Sequence, residues 1–79
     1  MGRVKSRGRI SNQIRRLRFE TGEMTQAELA ELIGVTRQTV VAIEGDKYAP
    51  SLEVAFRIAA IFEVPIGEVF TYDPEASEA

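Results

Sequence analysis

The stretch TQAELAELIGVTRQTVVAIE, residues 25–44, decides the fold. Its pivot is Gly34-Val35-Thr36: a glycine where one apolar periodic run ends, a single valine, then a hydroxyl residue opening a second run. Upstream, Thr25 and Glu28 have the spacing of a capping box, in which the Thr25 hydroxyl accepts from the Glu28 amide and the Glu28 carboxylate reaches back. The helix that starts there carries an apolar stripe of Ala27, Leu29, Ala30, Leu32 and Ile33. Gly34 follows at the point where a positive φ is commonly needed, and glycine takes it without a Cβ penalty. Thr36 then caps the next helix, with Val35 placed to staple against Val40. That helix runs to about Glu44, burying Val40 and Ile43 while Arg37, Gln38, Val41 and Ala42 occupy its other faces. So short a connection makes a sharp corner, and the leading end of the second helix points polar residues outward.

Toward the N-terminus, residues 1–9 (MGRVKSRGR) have two glycines and a lone Val4, and read as a flexible basic arm. From Ser11 or Asn12, each a suitable N-cap, Ile14 and Leu17, with Phe19 at the margin, predict a short helix ending near Gly22. Beyond the corner, GDKYAP (45–50) is dense in turn residues. Ser51 caps a fourth helix in which Leu52, Val54, Ala55, Phe56, Ile58, Ala59, Ile61 and Phe62 leave only Glu53, Arg57, Ala60 and Glu63 for solvent. A helix apolar that far around belongs in the core or in an interface. Pro65 suits the first turn of a last short helix over 66–70, and residues 73–79 read as an acidic disordered tail. The expectation is an all-α domain of five short helices over residues 10–72, with no repeat and no strand.

Composition sets the bounds. Seventy-nine residues make one small domain. There is no apolar run long enough to span a membrane and no signal-peptide h-region, so a cytoplasmic setting is expected. With no cysteine, disulfides, thiolate metal sites and thiol nucleophiles are excluded; with no histidine, the commonest general base and zinc ligand are missing. The glutamates at 28 and 31, or 20 and 23, read as exposed helix charges and not as an acid/base pair, since no nucleophile accompanies them. No enzyme, cofactor or metal is expected. A net charge of -2 argues against an anionic partner, but the average hides a split. Residues 1–19 hold seven of the ten basic residues and no acid, whereas all twelve acids lie in 20–79. Such asymmetry fits either a basic arm or face for an anionic partner or a solvated tail.

A helix, a glycine turn and a second helix form the unit whose second helix enters the DNA major groove. The run 25–44, followed by GDKYAPSL (45–52) and VPIGEVF (64–70), resembles the phage repressor and Cro family, the xenobiotic response element (XRE) type of helix-turn-helix, over about residues 10–72. The resemblance implies a lambda-repressor-like fold and a small prokaryotic, archaeal or phage regulator, a repressor, that binds double-stranded DNA sequence-specifically through recognition helix 36–44. It implies base reading by Arg37, Gln38 and Thr36: Arg37 forks onto guanine O6 and N7, Gln38 pairs with adenine N6 and N7, and Thr36 divides its hydroxyl between capping and contact. Phosphate contacts are implied for Gln26, Thr39, Lys47 and Tyr48. Gln26 stands beside exposed N–H groups at a helix N-terminus, a compact anion site, and Tyr48 has packing on the fourth helix as its alternative. Ala42 matches a further groove-facing position, with only a methyl to offer. Arg18 and Glu44 match an ion pair that ties the first helix to the end of the third. The arm from Arg3 to Arg9 suits a minor groove or phosphates.

Two departures stand out: Gly45-Asp46 replaces the usual Asn-Gly-like pair, and the TGEM loop (21–24) is one residue longer than the commonest form. A homodimer is expected because one recognition helix reads too few bases, whereas two on a two-fold axis reach half-sites about 34 Å apart. Ile66, Val69, Phe70 and Tyr72, with part of the fourth helix, form the expected interface, and the monomer's own core is the alternative for these residues, for Ile66 and Phe70 above all. With no room for a ligand-sensing domain, regulation is expected through concentration or a protein partner. The competing function is an antitoxin-like or coactivator-like protein-interaction adaptor on the same fold.

Overall fold

The computed structural model describes residues 8–74. The elements in order are β1 (Arg9–Asn12), α1 (Ile14–Glu20), α2 (Gln26–Ile33), α3 (Arg37–Glu44), α4 (Leu52–Phe62), α5 (Ile66–Val69) and β2 (Phe70–Asp73).

The central corner forms as local chemistry dictates. Both halves of the Thr25–Glu28 capping box are present: the Glu28 amide donates to the Thr25 hydroxyl at 3.0 Å, and the Thr25 amide donates to the Glu28 carboxylate at 2.8 Å. Gly34 takes φ 78°, a left-handed conformation that costs a side-chain-bearing residue energy and glycine none. The Val35 amide then donates back to the Ala30 carbonyl, which turns the chain directly into the Thr36 cap. Thr36 accepts from the Thr39 amide at 3.1 Å, and Ser51 does the same for Val54 at the start of α4.

One core joins all five helices. Ile14 and Leu17 of α1, Leu29, Ala30 and Ile33 of α2, Val40 and Ile43 of α3, Ile58, Ala59 and Phe62 of α4, and Val69 of α5 are buried together. Their spacing is the three-and-four pattern of one helix face, so each helix has a fixed rotation about its own axis. That burial is narrower than the apolar patterning predicts. Ala27 and Leu32 of α2 face solvent, as do Phe19 of α1 and Leu52 and Phe56 of α4. A domain this small lacks the interior to cover every apolar side chain.

The architecture is not strictly all-α. β1 and β2 form an antiparallel pair with register Arg9↔Asp73, Ile10↔Tyr72, Ser11↔Thr71 and Asn12↔Phe70. The Ser11 and Thr71 hydroxyls meet across it at 2.7 Å, and the Gln13 amide continues the ladder to the Val69 carbonyl. Arg9, read as arm, and Asp73, read as tail, are therefore both strand residues. Residues 1–7 of the expected arm and 75–79 of the expected tail lie outside the described residues. The strand also delays α1 to Ile14, whose amide donates to the Asn12 side-chain oxygen at 3.0 Å, and ends α5 at Val69 so that Phe70 opens β2. Among the described residues no helix is long and apolar enough to cross a membrane.

Candidate nucleic-acid interface

The rotation of α3 is set by Val40 and Ile43, exposed by only 1% and 2%. With those two side chains in the core, the positions on the opposite face are Arg37, Gln38 and Val41, all exposed, while Thr39 and Ala42 are half-buried at its margins. Thr36 is exposed as well, but its oxygen already accepts the Thr39 amide and lies 3.0 Å from the Thr39 hydroxyl. What Thr36 still offers outward is chiefly its methyl group.

The trailing end of α3 is clamped. Arg18 donates from Nε to Glu44 Oε2 at 2.6 Å and from Nη2 to Glu44 Oε1 at 3.0 Å, and its Nη1 donates to the Met24 carbonyl at 2.7 Å. Only 14% of the Arg18 side chain and 10% of Glu44 is exposed, so this two-pronged pair operates largely away from water. Gln26 adds a third bond to the same carboxylate, from Nε2 to Oε1 at 3.2 Å. One Gln26 Nε2 hydrogen is thereby used at the start of α2 and the other remains for a further acceptor. A single acid thus joins α1 and α2 to the end of α3, and Arg18 ties in the loop between α1 and α2.

Asn12 supplies a second clamp that patterning did not disclose. Its Nδ2 donates to the Ile43 carbonyl at 2.9 Å and to Asp46 Oδ1 at 3.1 Å, while its Oδ1 accepts the Ile14 amide. One amide therefore starts α1, closes the last turn of α3 and anchors β1. Its sequence signal was only that of a helix cap. Asp46 takes φ 61°, whereas Gly45 sits at φ -86°. The left-handed position thus falls on the aspartate, one of the residues that tolerate it best, and not on the glycine before it.

Cations sort into two groups. Arg16 pairs with Glu20, Arg57 with Glu53 and Arg18 with Glu44. Among the described residues, Arg15, Arg37 and Lys47 make no ion pair. Lys47 and Tyr48 are exposed in the loop after α3. Tyr48 also lines a groove of about 660 Å³, shared with Asn12, Asp46, Phe70 and Tyr72, between that loop and the sheet.

Of the residues assigned to a dimer interface, Val69 is corrected. It is 0% exposed and lies in the monomer's own core, with no surface left for a second subunit. Ile66 and Phe70 are half-buried against that core, and Tyr72 is 63% exposed.

These observations define a class: a small helical domain that clamps one helix by its trailing end and presents that helix's polar tip with Arg37 in no ion pair among the described residues. Comparison with known proteins identifies it further. The helix-turn-helix family model matches residues 14–69. An HTH-type transcriptional regulator of Methanocaldococcus jannaschii is 50% identical over 52 residues, 66% of this chain and 79% of that protein. Another, of Archaeoglobus fulgidus, is 46% identical over 66 residues, covering 84% of this chain and 93% of that one. In fold, the chain is similar to the transcriptional regulator VanUg, with a TM-score of 0.70 at 23% identity over 95% of this chain and 99% of that one. The chain belongs to the helix-turn-helix family of DNA-binding transcriptional regulators, of the XRE type.

Proposed function

We propose that this regulator lays α3 in the major groove of a particular duplex sequence, as one half of a homodimer, and represses by occupying that site. A helix seated in the groove excludes other proteins from the same base pairs. Arg37 forks onto a guanine and Gln38 pairs with an adenine, each from the exposed tip of α3. Thr36 brings its methyl to a neighbouring base, while Thr39, Gln26, Lys47 and Tyr48 meet phosphates and fix the register. The observation that carries this reading is Arg37: exposed at the leading end of a helix whose rotation the core fixes, and without an acidic partner among the described residues.

The test begins with selection of bound sequences from a random duplex pool, followed by titration at fixed salt. Arg37→Ala is expected to weaken binding by about 1 to 3 kcal/mol and to relax preference at one base position. Unchanged affinity and preference would remove α3 from the reading role. For the dimer, Tyr72 together with the exposed Leu52 and Phe56 of α4 offers the apolar surface that Val69 does not, and sedimentation at micromolar concentration reads the assembly directly.

Those same exposed α4 residues are what favours the second reading, an adaptor of antitoxin-like or coactivator-like kind that binds a protein through α4. Stoichiometric binding of one protein partner, with no salt-dependent affinity for duplex DNA, distinguishes it.

A further inference from the structure

We infer that Val41 is a base-reading residue, an apolar sensor of the C5-methyl group of a thymine. The inference rests on the reading of α3 as the recognition helix and adds to it a side chain with no polar chemistry. Val41 is 41% exposed, on a helix that buries its other two large apolar residues almost completely. Its exposure is therefore not a sign of loose packing. It stands four positions after Arg37 and three after Gln38, the two spacings at which helix side chains are neighbours, so all three share one surface.

The chemistry of that surface matches one feature of DNA. The major-groove edge is made of donors and acceptors, and its one apolar group is the thymine methyl. A valine pressed against a cytosine amine or a purine N7 leaves that group unpaired, whereas against a thymine it buries methyl on methyl. Valine is also stiff: in a helix its χ1 has one strongly preferred rotamer, so little side-chain freedom is lost on contact. Ala42, the neighbouring position that the family pattern points toward the groove, is half-buried and has a single methyl. Val41 reaches further from the more exposed position. The specificity of the tip would then combine two polar contacts at Arg37 and Gln38 with one methyl-dependent contact behind them.

Deoxyuridine in place of thymine deletes that methyl and nothing else, which makes the test direct. In the selected duplex each thymine of one half-site is replaced singly by deoxyuridine, and the full chain is titrated as wild type, Val41→Ala and Arg37→Ala. Wild type is expected to lose about fourfold in affinity at one thymine, the worth of one buried methyl group. Val41→Ala is expected to lose a similar factor on the thymine duplex and to be insensitive to deoxyuridine at that same position, a non-additive cycle. Alanine is the better helix former, so a thermal melt of this variant is expected to match or exceed wild type, which separates the contact from folding. The inference is overturned if no thymine responds to loss of its methyl, or if Val41→Ala retains the wild-type deoxyuridine profile. The Arg37→Ala arm tells the two levels apart. If Arg37→Ala weakens binding while Val41→Ala leaves the profile unchanged, only the role of Val41 falls. If neither variant alters binding, or the wild-type chain selects no sequence, the recognition-helix reading falls with it.

Discussion

The two ends of α3 are held in opposite ways. At its leading end the hydroxyl of the exposed Thr36 caps the helix, and among the described residues no side chain of another element hydrogen-bonds to that end. At its trailing end Glu44 receives bonds from Arg18 and Gln26, and Asn12 grips the Ile43 carbonyl and Asp46. Elements distant in the chain therefore converge on the end that the proposed function sets beside the phosphates and away from the bases. The end that would meet bases is polar, uncrowded and uncommitted. Stability and recognition are thus separated along a helix of eight residues. A change at one end should alter folding and a change at the other should alter binding.

The largest effect is expected where the clamp is densest. Glu44→Ala leaves the Arg18 guanidinium half-paired and mostly out of water, and should destabilise the fold by roughly 3 to 5 kcal/mol, read by urea denaturation. A loss under 1 kcal/mol would mean that the trailing end is not what secures the helix. Arg37→Ala probes the other end. Its cost should appear in the DNA titration alone, with the denaturation midpoint within about 0.5 kcal/mol of wild type, as for a surface substitution. Thr36→Ala is the intermediate case. Removing the cap should cost about 1 kcal/mol of stability and also weaken binding, because the helix start carries the reading residues. Intact stability in that variant would show that the leading end needs no cap of its own.

The smallest expected change is a gain. Gly45 has φ -86° and ψ 8°, and a Cβ there would stand 3.4 Å from the Val41 carbonyl oxygen, ordinary contact. Gly45→Ala should therefore stabilise by about 0.4 to 1 kcal/mol by restricting the unfolded chain, raising the melting temperature without altering DNA affinity. A loss instead would place the trailing turn under tighter steric control than its backbone angles imply.

How much of this was legible follows from how far each cause reaches along the chain. The corner at Gly34 was readable because Thr25, Glu28, Gly34 and Thr36 act on partners three or four residues away. The sheet was not, since β1 and β2 are four residues each, from opposite ends of the described chain, and neither has enough alternation to signal a strand alone. Asn12 was legible only as a cap; its bonds to Ile43 and Asp46 depend on a fold that places β1 beside α3. Burial was overread where apolar residues are dense, at Ala27 and Leu32, because patterning reports which residues favour an interior and not how much interior exists, while for Leu52 and Phe56 the pattern left core and interface both open. Val69 shows the reverse error, a core residue taken for surface because its helix is a single turn. Within the candidate site, the spacing sets Val41 off the buried face, but a valine in sequence carries no sign of function, and only its exposure beside Arg37 and Gln38 gives it one.

The antiparallel register that sets Arg9 opposite Asp73 has a practical corollary. Where the main chain enters and where it leaves are adjacent, so a short peptide bridge from residue 73 back to residue 9 would make the backbone a ring with the domain undisturbed. Cutting that ring in the exposed loop between α3 and α4 would yield a permuted protein whose order of elements is new and whose packing is the same.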